Sequence, residues 1–211
     1  MAVADTVSTV FAPELFVLLA TLLLVGYEAR DDHAPKSLAP RLGVVVGAWA
    51  LAFAVYQGGP AIMGTAVPGG DARLTVTAIP GGDDFFAALG LIVAFAGIAL
   101  AWRQFDWGSL VPPYAVLLIV TSLLHLVVVP LWDTSSHVIY AALLAGALVA
   151  ADRRFAPLLL AVPLLVWSRI ATGAHTVGEA VGGLLVAGVV LAGAFALDRL
   201  PGEDGPEIDP I

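Results

Sequence analysis

Cysteine is absent from the 211 residues, which excludes a disulfide framework, thiol catalysis and zinc–thiolate centres. Charge is scarce too: only 12% of the chain is Asp, Glu, Lys or Arg. Basic residues are the scarcest, nine against 17 acidic, for a net charge of −8. That balance argues against nucleic acid as a partner and against a polybasic grip on anionic lipid. Hydrophobic residues take the vacated share at 60%, with mean hydropathy +0.96, where a soluble domain carries roughly 45–50%. They fall in runs near the ~20 residues that cross ~30 Å of hydrocarbon as helix. The expected fold is therefore all-α, a polytopic membrane helical bundle, with membrane lipids as its surroundings.

Seven runs qualify as expected spans: Phe11 to Tyr27, Leu42 to about Met63, Phe85 to Trp102, Val111 to Leu131, about Ser136 to Ala151, Phe155 to about Ser168, and about Thr176 to Leu197. The first follows Met-Ala-Val-Ala-Asp, without the basic segment of a secretory signal, and reads as a retained span. Gly58-Gly59-Pro60 is expected to end or kink the second. Between Gly64 and Asp84 lies the longest polar connection, and its Arg73-Leu-Thr-Val-Thr-Ala-Ile79 reads as an extended piece. Trp102, Trp107, Tyr114, Trp132 and Trp167 stand near run ends, where interfacial aromatics belong. Residues 1–200 form one expected membrane domain, and 201–211 an acidic, disordered tail.

Seven spans put the termini on opposite sides. Arg30, Lys36, Arg41, Arg103, Arg153, Arg154 and Arg199 follow odd-numbered spans, and only Arg73 and Arg169 fall on the other side. Excess Lys and Arg mark the cytoplasmic side, so the N-terminus is expected outside the cell membrane and the C-terminus in the cytoplasm. The turns around 132–137 and 169–175 then share the outer face, where the two sequence-distant polar clusters can meet.

Those turns carry the chemistry. Trp167 to Gly183 reads W-S-R-I-A-T-G-A-H-T-V-G-E-A-V-G-G. Charged residues beside spanning segments are costly in lipid and mark functional sites by default. His175 and Glu179 are four apart and are expected on one helix face, so the carboxylate can hold one imidazole nitrogen and leave the other as a nucleophile. Arg169 offers a planar fork for phosphate oxygens. His137, after Asp133-Thr134-Ser135-Ser136, opens a helix whose free N–H groups and hydroxyls suit an anion. The plainer expectations are a packed His–Glu pair, a snorkelling Arg169, a packed His125, and Gly178-x-x-x-Gly182 as a close-packing stripe.

Ser168-Arg169-Ile-Ala-Thr-Gly-Ala-His175-Thr-Val-Gly-Glu179 resembles the third signature of the phosphatidic acid phosphatase type 2 and haloperoxidase superfamily, S-R-x-x-x-x-x-H-x-x-x-D, with Glu for Asp. Thr134-Ser135-Ser136-His137 is similar to its second signature, P-S-G-H. The first, K-x-x-x-x-x-x-R-P, is replaced by His125-Leu-Val-Val-Val-Pro-Leu-Trp132-Asp133, with His125 at the Lys position. Asp133 would repel a phosphate if it faced the pocket. The resemblance spans His125 to Leu197. It implies a six-helix phosphatase-like core behind an extra N-terminal span, acting on a lipid phosphate or prenyl diphosphate at the outer face. It further implies a phospho-histidine route with no cofactor and no metal. On this resemblance His175 is the nucleophile, Glu179 its orienting carboxylate and His137 the general acid, while Arg169, Ser135, Ser136 and His125 hold the phosphate. The alternative is an inactive phosphatase-like protein acting in lipid binding or assembly.

Overall fold

The computed structural model describes residues 2–31, 38–66, 82–197 and 200, and every regular element among them is helical. In chain order these are α1 (Ala2–Val10), α2 (Pro13–Asp31), α3 (Leu38–Ala66), α4 (Gly82–Phe105), α5 (Val111–Val128), α6 (Ser136–Ala151), a 3-10 segment (Arg153–Leu160), α7 (Ala161–Ala171) and α8 (Val177–Ala196). Five helical stretches are long and apolar enough to cross a membrane, and the bent α1–α2 pair adds a sixth if it is one span. At 16 residues α6 is shorter. The extended piece expected over 73–79 and the tail 201–211 lie outside the described residues.

Burial explains why α6 can be short. Val138, Ile139, Tyr140, Ala141, Leu143, Leu144, Ala145, Ala147 and Leu148 are all buried, so the helix has almost no outward face. It packs against α2, α7, α8 and the 3-10 segment. Around it the other helices turn apolar side chains outward: Leu100, Val127, Leu185 and Val189 are more than half exposed. A water-soluble fold leaves few such faces bare, whereas hydrocarbon accepts them, and the apolar shell is consistent with a membrane protein.

Three local expectations are corrected. Of the end or kink expected at Gly58-Gly59-Pro60, the end does not occur: α3 remains helical to Ala66, although the stretch apolar enough to cross ends at Gly59. The run expected from Phe155 begins as a 3-10 segment with Pro157 inside it and becomes α-helical only at Ala161, because proline withholds an N–H and crowds the preceding turn. The first span is preceded by a separate helix, α1, set at 46° to α2. Pro13 and Glu14 open α2, the residue types a helix start favours.

A buried carboxylate fixes the opposite corner. Glu28, in the last turn of α2, is 3% exposed. It accepts hydrogen bonds from Trp102 Nε1 (2.7 Å), Leu110 N (2.6 Å) and Val111 N (3.4 Å). Helix α5 has no side-chain cap of its own. Pro112 and Pro113 have no N–H to satisfy, and Glu28 takes the two donors that remain at Leu110 and Val111. Gly108, at φ +133°, makes room: a Cβ there would lie 2.5 Å from the Glu28 carboxyl carbon.

Candidate functional site

Helix α8 begins at Val177 with Thr176 as N-cap, so His175 precedes the helix rather than sharing a face of it with Glu179. The two side chains still meet, with His175 Nδ1 3.4 Å from Glu179 Oε2. The cause is a capping box: Glu179 Oε2 accepts from Thr176 N at 2.8 Å, and Thr176 Oγ1 accepts from Glu179 N at 3.3 Å. The Thr-x-x-Glu spacing carries that signal in the sequence. The turn before it is held to α7, since Ala174 N and His175 N both donate to Arg169 O at 3.1 Å.

The loop 132–135 lies directly on this helix start. Ser135 N donates to Glu179 O at 3.3 Å. A Cβ on Gly182 would come within 2.7 Å of Thr134 Cγ2 and 2.9 Å of the Trp132 ring, and one on Gly183 within 3.0 Å of Ser135 O. Glycine is required here for close approach. Close packing therefore falls on Gly182 and Gly183, while a Cβ on Gly178 would meet only Thr176 Oγ1, at 3.8 Å. The two polar clusters thus adjoin. Ser135, the N-cap of α6, makes no side-chain cap bond; its Oγ is buried and without a hydrogen-bond partner among the described residues.

The expected site residues divide between two places. His125, Ser136, His137 and Arg169 line one cavity of about 470 Å³, within the range of small-ligand sites. Its polar lining also includes Ser8, Thr9, Glu14 and Tyr140, and Trp49, Phe53, Tyr56 and Leu91 from α3 and α4 line it too. His175, Glu179 and Ser135 are not among its lining residues. Asp133 does not face it either; its carboxylate is grouped with His175 and Glu179, with one ligand-type atom of each lying within 4.8 Å of the others.

Arg169, in the last turn of α7, is set by a hydroxyl relay to α1. Ser168 Oγ donates to Ala4 O at 2.6 Å. With its one hydrogen committed there, Ser168 Oγ must accept from Ser8 Oγ, 2.9 Å away. Ser8 Oγ in turn accepts from Arg169 Nη1 at 3.2 Å. Sequence reading gave no role to Ser8, Thr9, Glu14 or the aromatic lining, because α1 was not separated from the first span. The Pro13-Glu14 helix start was the signal that could have separated them.

Neither a family model, nor a curated protein, nor a solved structure matches this chain.

Proposed function

We propose that the chain is an integral membrane phosphatase that removes phosphate from a lipid phosphate or prenyl diphosphate through a phospho-histidine, without metal. On this reading its seven apolar runs are seven spans, with the N-terminus and the site on the outer face. The observation that carries it is the cavity. Arg169, His137, Ser136 and His125 come from three separate helices to line one cavity, which Trp49, Phe53, Tyr56 and Leu91 also line. Such a cavity suits an amphiphile with a small anionic head.

The chemistry follows from the residues. Arg169 holds phosphate oxygens through its guanidinium fork. Glu179 orients the Nδ1–H of His175, so the neutral ring presents its Nε2 lone pair to attack phosphorus. The P–O ester bond breaks as His137 gives a proton to the departing oxygen. Water then attacks the phosphorus and gives its proton to His137, the P–N bond breaks, and inorganic phosphate leaves with His175 and protonated His137 restored.

A second reading, anionic-lipid binding without turnover, is favoured by the position of His175 and Glu179 outside the cavity lining. Purified protein in detergent, supplied in turn with phosphatidate, a prenyl diphosphate and phosphatidylglycerol phosphate, separates the two. Phosphate release that persists with chelator is expected; its absence from all three substrates overturns the phosphatase.

The relay through Ser8 makes a finer prediction. Ser8→Ala removes one acceptor of Arg169, a loss of about 1 kcal/mol for one hydrogen bond, and so raises KM roughly five-fold with kcat little changed. An unchanged KM would mean that Arg169 holds its place without α1.

A further inference from the structure

Asp133 was expected to trouble phosphate binding, yet it stands with His175 and Glu179 outside the cavity. We propose that these three side chains form a binding site for one borderline divalent cation of the Zn²⁺ type. Two carboxylates and an imidazole are a donor set that such ions accept and that Mg²⁺ and Ca²⁺, which prefer all-oxygen shells, do not favour.

The spacing fits. Zn²⁺ bonds of about 2.0–2.1 Å at tetrahedral angles put neighbouring ligand atoms roughly 3.3–3.4 Å apart. His175 Nδ1 and Glu179 Oε2 are 3.4 Å apart. Nδ1 is buried, and its contact with Glu179 is longer than a well-formed N–H···O bond of about 2.7–3.2 Å, a separation that suits a shared metal. The His175 side chain is only 11% exposed, so Nδ1 faces protein rather than water. Asp133, exposed on its turn, brings a carboxylate oxygen within 4.8 Å of the ligand atoms of the other two.

The frame is also fixed before any ion arrives. Ser135 N on Glu179 O ties the Asp133 turn to α8, the Gly182 contact seats that turn, and the capping box holds the Glu179 carboxylate. A carboxylate held by a second hydrogen bond is how metal ligands are usually oriented.

A cation on Nδ1 also acts on the phosphoryl transfer proposed above, and this consequence alone rests on that reading. Neutral imidazole has one lone-pair nitrogen, so a metal at Nδ1 leaves the proton on Nε2 and removes the nucleophile. Metal occupancy therefore inhibits.

Titration calorimetry of the full chain in detergent with Zn²⁺ alone tests the site without reference to activity. One saturable equivalent is expected. Asp133→Asn should weaken it roughly ten-fold or more, and His175→Ala should abolish it, each variant keeping its helical circular dichroism. No saturable binding, or binding undiminished in both variants, overturns the site. Asp133→Asn supplies the second arm, since Asp133 has no part in the proposed reaction. Its phosphate release in chelator should equal that of the parent and resist added Zn²⁺. If Zn²⁺ binds while no substrate is hydrolysed, the metal site stands and the phosphatase falls.

Discussion

Replacing His175 with Ala is expected to lower phosphate release by about 10⁴-fold or more, because the residue supplies the bond-forming lone pair and no neighbour can take over. The adjoining residues predict a graded series. His137→Asn keeps the nucleophile and loses the proton donor, so it falls by roughly 10²–10⁴-fold. That loss should shrink for an aryl phosphate, whose leaving oxygen needs no proton. His175→Ala should not show that rescue, since the attack itself is gone. Steady-state rates with an alkyl and an aryl substrate separate the two roles. A His175→Ala variant with parental rates would remove the nucleophile from the reading altogether.

The same substitution discriminates turnover from binding. Arg169, His137, Ser136 and His125 line the cavity and His175 does not. Affinity for a non-hydrolysable phosphonate lipid should therefore stay within about two-fold in His175→Ala, while Arg169→Ala loses one to two orders of magnitude with the charge-assisted bonds. If the parent binds the phosphonate with that pattern and hydrolyses nothing, the cavity is a lipid-anion site without turnover.

Much of the helical frame was legible because apolar runs leave little choice of structure in lipid. The bounds of α6, Ser136–Ala151, coincide with its run. Harder to read were the places where a helix continues through a breaker, as α3 does past Pro60, or starts anew, as α2 does at Pro13. The site was legible as a set of residues and not as a geometry. Spacing of four suggested a helical His175–Glu179 pair, yet a capping box produced the contact. Which wall a side chain faces depends on helix rotation, and apolar runs that are hydrophobic all round carry no stripe to report it. Arg169 on α7 turned toward the cavity in this way, whereas Asp133 and His175 lie in the turns before α6 and α8, where no helical period reports a side chain's direction.

The largest expected loss of stability lies far from these residues, at Glu28. Glu28→Ala leaves three N–H groups, from Trp102, Leu110 and Val111, without their acceptor. Each orphaned buried donor costs about 1–3 kcal/mol. Because Gly108 was packed to within a Cβ of the carboxylate, the substitution also opens a void. A net loss of about 3–5 kcal/mol is expected, comparable to breaking a buried charged contact. For a chain of this size that lowers Tm by roughly 10 °C or more. Glu28→Gln sharpens the point. It preserves volume, but its amide nitrogen must confront one of the donors, so it should still destabilise by about 1–2 kcal/mol. Trp102→Phe removes that donor from the Nε1 side. If the amide nitrogen turns to the vacated place, the Glu28→Gln, Trp102→Phe double variant should lose less than the two single losses together, a coupling that adjacent partners show and independent sites do not. Circular dichroism melts of the four proteins in one detergent measure it, and strict additivity would mean that Glu28 and Trp102 do not act as one unit. The cavity should keep its phosphonate affinity below the lowered Tm, since it is lined by Glu14 at the start of α2 and His125 near the end of α5, whereas Glu28 joins the opposite ends of these two helices.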